Sequence, residues 1–117
     1  IQAVATKEQF IEWQQEVSSI SISDAIFAYV TALTEATRAH TSVQFGISPR
    51  GALALCQYAR ARAFYFGRSF VIPEDIIESF IDVCNHRIVA GAQQQTISIL
   101  QDILQQVPSP DNMLIGK

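Results

Sequence analysis

The stretch GISPRGALALCQYARARAFYFG, residues 46–67, predicts the central helix of the fold. Ser48 is suited to cap this helix, Pro49 to begin it, and Gly67 to follow its last turn. The apolar residues of the stretch recur at steps of three and four, which places them on one helical face: Ala52, Leu55, Ala59, Ala63 and Phe66. Because small residues dominate this stripe, we expect a second helix to pack closely against it.

Arg50 lies in the first turn of the predicted helix, where a positive charge is disfavoured by the helix dipole. On a helical wheel it falls roughly opposite the middle of the apolar stripe, so we expect its side chain to reach outward. Free backbone N–H groups and a guanidinium fork both suit phosphate oxygens. The residues alone leave two interpretations open, namely a phosphate ligand and a surface arginine without a ligand.

Two helices are predicted before the central one. The first begins at Thr6, where the sequence TKEQ fits a capping box, and we expect Trp13 to lie in the core or at its edge. The second helix has Ser23 as its N-cap and Asp24 in its first turn. Its apolar positions again share one face: Ile26, Tyr29, Val30, Leu33 and Ala36.

Two further helices are predicted after the central one. Residues 69–72 suggest a short extended segment, and Pro73 begins a helix with two acidic residues in its first turn. A loop follows, with a second possible extended segment at residues 87–89. The last helix begins near Thr96, and Pro108 ends it. The fold class is therefore all-α, a small helical bundle with room for one short two-stranded β-ribbon.

Length and composition describe one folded domain. The chain has 117 residues, 49% of them hydrophobic and 16% charged, which is typical of a globular unit. We expect residues 1–110 to form this domain and residues 111–117 to form a tail. The first residue is Ile1 rather than methionine, so we expect the chain to be a fragment of a longer protein. Its two cysteines lack CxxC spacing, which favours a reducing, cytoplasmic setting and gives no zinc motif.

The charges are unevenly placed along the chain. No acidic residue lies between Glu35 and Glu74, whereas all the remaining sequence is acidic on balance and the net charge is −3. The basic stretch carries five arginines: Arg38, Arg50, Arg60, Arg62 and Arg68. One alternative is therefore a stand-alone helical module that binds nucleic acid through this stretch. Net acidity and the lack of an arginine-rich recognition helix count against it.

No motif of an independent catalytic site is present. The serine in GISPRG is not a nucleophile elbow, because GxSxG needs glycine at the position of Arg50. His40 and His86 lack a matched carboxylate motif, so we predict no metal site. No phosphate loop of the GxxxxGK[ST] type occurs in the sequence. These residues alone therefore provide no means of hydrolysing a nucleotide.

Six short motifs occur in a characteristic order: ATRAH at residues 36–40, GISPRGAL at 46–53, ARARA at 59–63, GRSFVIPED at 67–75, HRI at 86–88 and ILQQVPSP at 103–110. In this order the sequence resembles the C-terminal lid domain of the MoxR family of AAA+ ATPases, over about residues 4–108. Magnesium-chelatase ATPase subunits have a similar lid and remain an alternative. The sequence departs from the usual family residues at Thr41, Ile47 and Ile72.

The resemblance implies a role for the start of the central helix. Arg50 corresponds to the sensor 2 arginine, which reaches from the lid to the γ-phosphate of ATP held in an upstream α/β core. Ser48 and Pro49 belong to the same nucleotide-facing element. Arg38 would either support this site or cap its own helix, whereas Arg60 and Arg62 would form salt bridges within the lid or with a neighbouring subunit.

The resemblance also implies properties of the whole protein. ATP and Mg²⁺ would be its cofactors, and it would hydrolyse ATP, although the fragment alone would bind no cofactor. It would form a homo-oligomeric ring, expected to be a hexamer, and act like a chaperone in the maturation of complexes. A von Willebrand A-domain protein would be a possible partner, and neither a membrane nor nucleic acid is expected as one.

Overall fold

The computed structural model describes residues 6–40, 43, 46–85 and 93–110, with the side chains of residues 93–95 excepted. Within these residues the chain forms five α-helices and no β-strand. The helices are α1 (Lys7–Ser18), α2 (Asp24–Ala39), α3 (Pro49–Tyr65), α4 (Pro73–Cys84) and α5 (Gln93–Gln106). The all-α prediction is therefore confirmed. The predicted tail at 111–117 lies outside the described residues.

The helix α3 is the centre of the bundle and packs against α1, α2 and α4. Leu55, Ala59 and Ala63 are fully buried, as their spacing predicts, and Ala52 is half-buried. The remaining core comes mainly from α2, α4 and α5, with one face of each helix turned inward: Ile26, Tyr29, Val30, Leu33, Ile76, Phe80, Cys84, Ile99, Leu100 and Ile103. The core therefore covers one face of α3 and leaves the outer side of its first turn uncovered.

The end of α3 follows the prediction at Gly67 but not at Phe66. Gly67 has a φ of +76°, and the N–H groups of Gly67 and Arg68 donate to the carbonyls of Phe64 and Ala63, each at 2.9 Å. This is a Schellman turn, which glycine permits. Phe66 caps the helix and is 55% exposed, so its place in the buried stripe is wrong. Its ring lies instead beside the guanidinium groups of two arginines at the surface.

The predicted β-ribbon is reduced to one isolated bridge. Phe70 pairs in parallel with Ser21, which precedes α2. The N–H of Ser21 donates to Ser69 and that of Val71 donates to Ser21, both at 3.0 Å. The extended segment at 69–72 thus exists in part, but its partner is the α1–α2 connection. The second proposed segment, 87–89, lies outside the described residues.

The first and last helices of the chain differ from the expectations. The helix α1 begins with the predicted capping box at Thr6, but it contains no buried residue, and Trp13 is 40% exposed. The prediction of Trp13 as core is wrong because α3 covers only one edge of α1. The helix α5 begins at Gln93 rather than near Thr96. Thr96 is buried within the helix and is not its first residue.

None of the helices in the described part of the chain combines the length and the apolar character needed to cross a membrane.

Candidate functional site

The first turn of α3 is a capped helix N-terminus that carries a cation and no acidic residue. Ser48 has an extended backbone, and its Oγ accepts a hydrogen bond from the N–H of Gly51 at 3.1 Å. Pro49 occupies the first helical position, as predicted, and no acidic residue lies in the first turn. The positive end of the helix dipole therefore has no carboxylate from its own turn to compensate it.

Arg50 projects from this turn into solvent. Its neighbour Gly51 is buried against the bundle, whereas Arg50 is exposed, as its position opposite the apolar stripe predicts. Within the described residues no carboxylate forms an ion pair with Arg50. Its guanidinium can therefore reach an anion outside the bundle without first breaking an internal contact. Five donors in a planar fork suit the oxygens of a phosphate group.

Ser48 and Pro49 shape this site in different ways. The Ser48 oxygen is engaged with the Gly51 N–H, while its own proton is free to serve another acceptor. Pro49 offers no N–H but fixes the backbone angle with which α3 begins. Both residues thus set the direction of the first turn, and the role of each in binding nucleotide stays a prediction.

Three of the other arginines in the basic stretch are engaged inside the bundle. Arg60 Nε donates to the carbonyl of Ile20 at 3.0 Å, and among the described residues Arg60 forms no salt bridge; a salt bridge with a neighbouring subunit stays a prediction. Arg62 Nε lies 3.2 Å from Asp75 Oδ1, which confirms a salt bridge within the domain. Arg68 binds the same carboxylate with two nitrogens, one of them 2.8 Å from Oδ1.

Asp75 is the residue that sequence reasoning missed. Its carboxylate is completely buried and accepts hydrogen bonds from Arg68 and from the N–H of Ile72, the latter at 2.9 Å. Ile72 has no side-chain oxygen to accept a hydrogen bond from the first turn of α4. The reciprocal hydrogen bond of a capping box is formed, because the Asp75 carboxylate at the third helical position accepts from the Ile72 N–H. The hydrogen bond to Asp75 raises the pKa of Arg68 further above its ordinary value. The spacing of arginine and aspartate within GRSFVIPED was the available signal.

Arg38 points toward the start of α3. Its Nε donates to the carbonyl of Ile47 at 3.2 Å, and Ile47 directly precedes the capping Ser48. Of the two roles considered for Arg38, this contact corresponds to support of the site rather than to capping of α2. The structure therefore brings Arg38 and the Ser48–Arg50 turn together at one end of the bundle.

His40 does not join this site. His40 Nε2 lies 3.3 Å from Asp102 Oδ2 and connects the end of α2 to α5. His86 lies outside the described residues. In the part of the chain that the structure covers, no group of three or more histidine, cysteine or carboxylate side chains is arranged to hold a metal ion. The candidate site is thus a cationic helix start.

Comparison with known proteins identifies a family model and a solved structure that are similar to this chain. The AAA lid domain matches residues 35–107, a segment that contains α3, α4 and α5 in full. A crystal structure of a proposed ATPase from Cytophaga hutchinsonii is similar, with a TM-score of 0.83 and 31% sequence identity. That likeness covers 94% of this chain and 38% of the solved one.

Three proteins of known sequence are also similar. YeaC of Bacillus subtilis, a protein of uncharacterised function, is 35% identical over 115 residues, which cover 94% of this chain. Chaperone MoxR1 of Mycobacterium tuberculosis is 36% identical over 85 residues, or 64% of this chain, and Protein MoxR of Methylorubrum extorquens is 33% identical over 111 residues, or 79%. The matched regions span 36%, 22% and 32% of these relatives respectively, so the chain corresponds to about a third or less of their length.

Proposed function

The chain belongs to the AAA lid domain family, as a lid of the MoxR type, and on that premise we propose that Arg50 is the sensor 2 arginine of its parent ATPase. The lid closes over ATP bound in the nucleotide-binding core of the same protein. Closure brings Arg50 to the γ-phosphate, and the position of the lid then depends on the state of the nucleotide.

One observation carries this proposal, namely the free guanidinium at the start of α3. Arg50 is exposed, has no carboxylate partner among the described residues, and stands beside an uncompensated helix N-terminus. A phosphate group would satisfy all three conditions at once, because it brings negative charge and several acceptor oxygens. The residues present therefore fit a nucleotide phosphate.

The expected contribution of Arg50 is to the rate of hydrolysis. An arginine near the γ-phosphate meets more negative charge in the transition state than in bound ATP, so its effect falls mainly on kcat. Arginine fingers contribute roughly 10³–10⁵-fold to kcat in nucleotide hydrolysis. A sensor arginine that acts beside other cations should contribute less, about 10- to 100-fold, which is about 1.4–2.7 kcal/mol of barrier.

The properties of the whole protein belong to the same proposal. The parent protein hydrolyses ATP with Mg²⁺, assembles as a homo-oligomeric ring of six subunits, and works in the cytoplasm, where its buried cysteines stay reduced. It acts like a chaperone in the maturation of complexes, with a von Willebrand A-domain protein as a partner. The support is the similarity to MoxR proteins, one of which is named a chaperone.

The alternatives have less support. A magnesium-chelatase lid would have the same fold, but the two relatives that carry family names are MoxR proteins. A nucleic-acid-binding module would need its arginines free for phosphate contacts. Arg60, Arg62 and Arg68 are instead engaged within the bundle. Asp75 offsets one of these positive charges, and the hydrogen bonds of the three guanidinium groups within the bundle leave them fewer donors for a nucleic-acid phosphate.

Steady-state ATP hydrolysis by the parent protein tests the proposal. We expect Arg50→Ala to lower kcat by about 10- to 100-fold, and Arg50→Lys to recover part of this loss, because lysine keeps the charge but not the planar fork. Lys7→Ala removes one exposed cation from α1 and serves as the matched control, with a rate equal to that of the wild type. A wild-type kcat for Arg50→Ala, with the fold checked by circular dichroism, would refute the sensor assignment.

A further inference from the structure

The residue that precedes the cap of α3 is held on both sides by the end of α2. The N–H of Ile47 donates to Thr37 Oγ1 at 2.9 Å, and its carbonyl accepts from Arg38 Nε at 3.2 Å. The Ile47 side chain is itself buried in the core, with 1% of its surface exposed. Two adjacent side chains of α2 thus fix both backbone groups of Ile47.

The Thr37 hydroxyl is fully committed to this arrangement. It is completely buried, and it donates its one proton to the carbonyl of Thr34 at 2.6 Å. An oxygen that donates in one direction accepts in another, so its lone pairs are left for the N–H of Ile47. Removal of the hydroxyl would leave a buried N–H without an acceptor, which proteins rarely tolerate.

Gly46 shows how closely the segment approaches α2. A Cβ atom at this position would lie 2.7 Å from Arg38 Cγ and 2.8 Å from the Arg38 backbone nitrogen. These separations are shorter than any side chain permits, so the segment runs in direct contact with the last turn of α2. The backbone contact and the two hydrogen bonds together form a clamp, which we define as Thr37, Arg38, Gly46 and Ile47.

We propose that Thr37 and Arg38 are positioning residues for Arg50, which act by fixing Ile47 and with it the start of α3. This inference rests on the proposed function of Arg50. Arg50 follows Ile47 by three residues, so a displaced Ile47 would carry the first turn of α3 with it. A misplacement of about 1 Å can cost about 100-fold in rate. Arg38 acts here through its Nε–H and the Ile47 carbonyl, and not as a second cation on the phosphate.

Four substitutions in the parent protein separate these roles. Arg38→Gln places an amide nitrogen at the same number of bonds from Cα as Arg38 Nε, so it keeps a donor for Ile47 while removing the charge. Arg38→Met has a similar length and no donor. Thr37→Ser keeps the hydroxyl, whereas Thr37→Val has a similar shape without it. Arg38→Gln is thus the matched control for Arg38→Met, and Thr37→Ser is the matched control for Thr37→Val.

If Thr37 and Arg38 position Arg50, we expect loss of either contact to lower kcat and to leave KM nearly unchanged. Arg38→Met and Thr37→Val should lower kcat for ATP by about tenfold with KM changed by less than about twofold, and Arg38→Gln and Thr37→Ser should stay within about threefold of the wild-type kcat. In an Arg50→Ala background, Arg38→Met and Thr37→Val should cause no further loss of kcat, because the clamp acts through Arg50.

Two kinetic outcomes would overturn the inference. If Arg38→Gln is as slow as Arg38→Met, the charge of Arg38 is what matters. If the clamp variants lower kcat further in the Arg50→Ala background, they act independently of Arg50.

Hydrogen exchange in the same proteins distinguishes failure of the clamp from failure of the sensor assignment. The amide hydrogens of Ile47 and Gly51, which donate to Thr37 Oγ1 and Ser48 Oγ, should exchange at least about tenfold faster in Arg38→Met and Thr37→Val, and at the wild-type rate in Arg38→Gln and Thr37→Ser. A wild-type kcat for Arg50→Ala would refute the sensor assignment, and the role in catalysis inferred for Thr37 and Arg38 with it, whatever the exchange shows. Unchanged exchange in all four variants would refute the clamp alone.

Discussion

The two ends of α3 carry arginines in opposite situations. At the start, Arg50 is exposed and has no carboxylate partner among the described residues. At the other end, Arg62 and Arg68 share the buried carboxylate of Asp75. The sequence shows the same residue type in one basic stretch, but the structure divides it into a cation available to a ligand and cations that hold the bundle together. A cluster of positive charge therefore says little about binding until the partner of each residue is known.

The Asp75 cluster should show the largest effect on stability. We expect Asp75→Ala to lower the free energy of unfolding by about 3 kcal/mol, the low end for breaking a buried ion pair, because Arg62 and Arg68 are each about a quarter exposed and can regain water. Chemical denaturation of the parent protein measures the change. Asp82→Ala, an exposed position on the same helix, is the control and should cost less than about 0.5 kcal/mol. If the two variants are equally stable, the Asp75 ion pairs do not stabilise the bundle, and the contrast drawn between the two ends of α3 is wrong.

The close packing in the middle of α3 should show the next largest effect. Ala59 and Ala63 are completely buried. Substitution of either by leucine should destabilise the protein by about 1–3 kcal/mol, because the added atoms have no free volume. Ala61→Leu, at an exposed position of the same helix, is the matched control. Melting temperatures of the three variants would check this, and a wild-type value for Ala59→Leu and Ala63→Leu would mean that another face of α3 is buried.

The smallest effect concerns alkaline pH and depends on buried neutral groups. Burial raises the pKa of the Cys56 thiol above 9.0 and that of the Tyr29 hydroxyl above 10.0. A raised pKa means that the folded state keeps these protons to a higher pH than the unfolded state does. The contribution of the two neutral groups to the free energy of unfolding is therefore fully present below pH 9 and is lost as pH rises through the folded pKa values. The free energy of unfolding should fall between pH 9 and 11, as denaturation at each pH would show. The fall should be shallower for Tyr29→Phe combined with Cys56→Ala, and an identical fall would assign it to other groups.

Local patterns predicted the parts of the fold that depend on neighbouring residues. The cap at Ser48, the turn at Gly67 and the outward direction of Arg50 all follow from residue type and helical period. The exposure of Trp13 and Phe66 did not follow, because the period gives the face of a helix but not what covers that face. Burial of these two rings depends on elements that only the three-dimensional arrangement identifies.

The supporting contacts of the candidate site were beyond sequence reasoning for a related reason. The bond from Arg38 to Ile47 spans a connection whose length does not determine how α2 and α3 meet. The Asp75 cluster joins the end of α3 to the start of α4 across a turn and a β-bridge. The sequence contained both pairs within recognisable motifs, and only the fold shows which atoms they join.

The contrast between the two ends of α3 is tested most directly by the maximal ATPase rate of the parent protein with one arginine removed from each end. The rates of Arg50→Ala and Arg68→Ala are measured at saturating ATP and at a temperature where both variants are folded. Arg50→Ala should be about 10- to 100-fold slower than the wild type with an unchanged melting temperature. Arg68→Ala should melt at a lower temperature yet keep a rate within about threefold of the wild type. A wild-type rate for Arg50→Ala, or an equal loss of rate in both variants, would contradict the account.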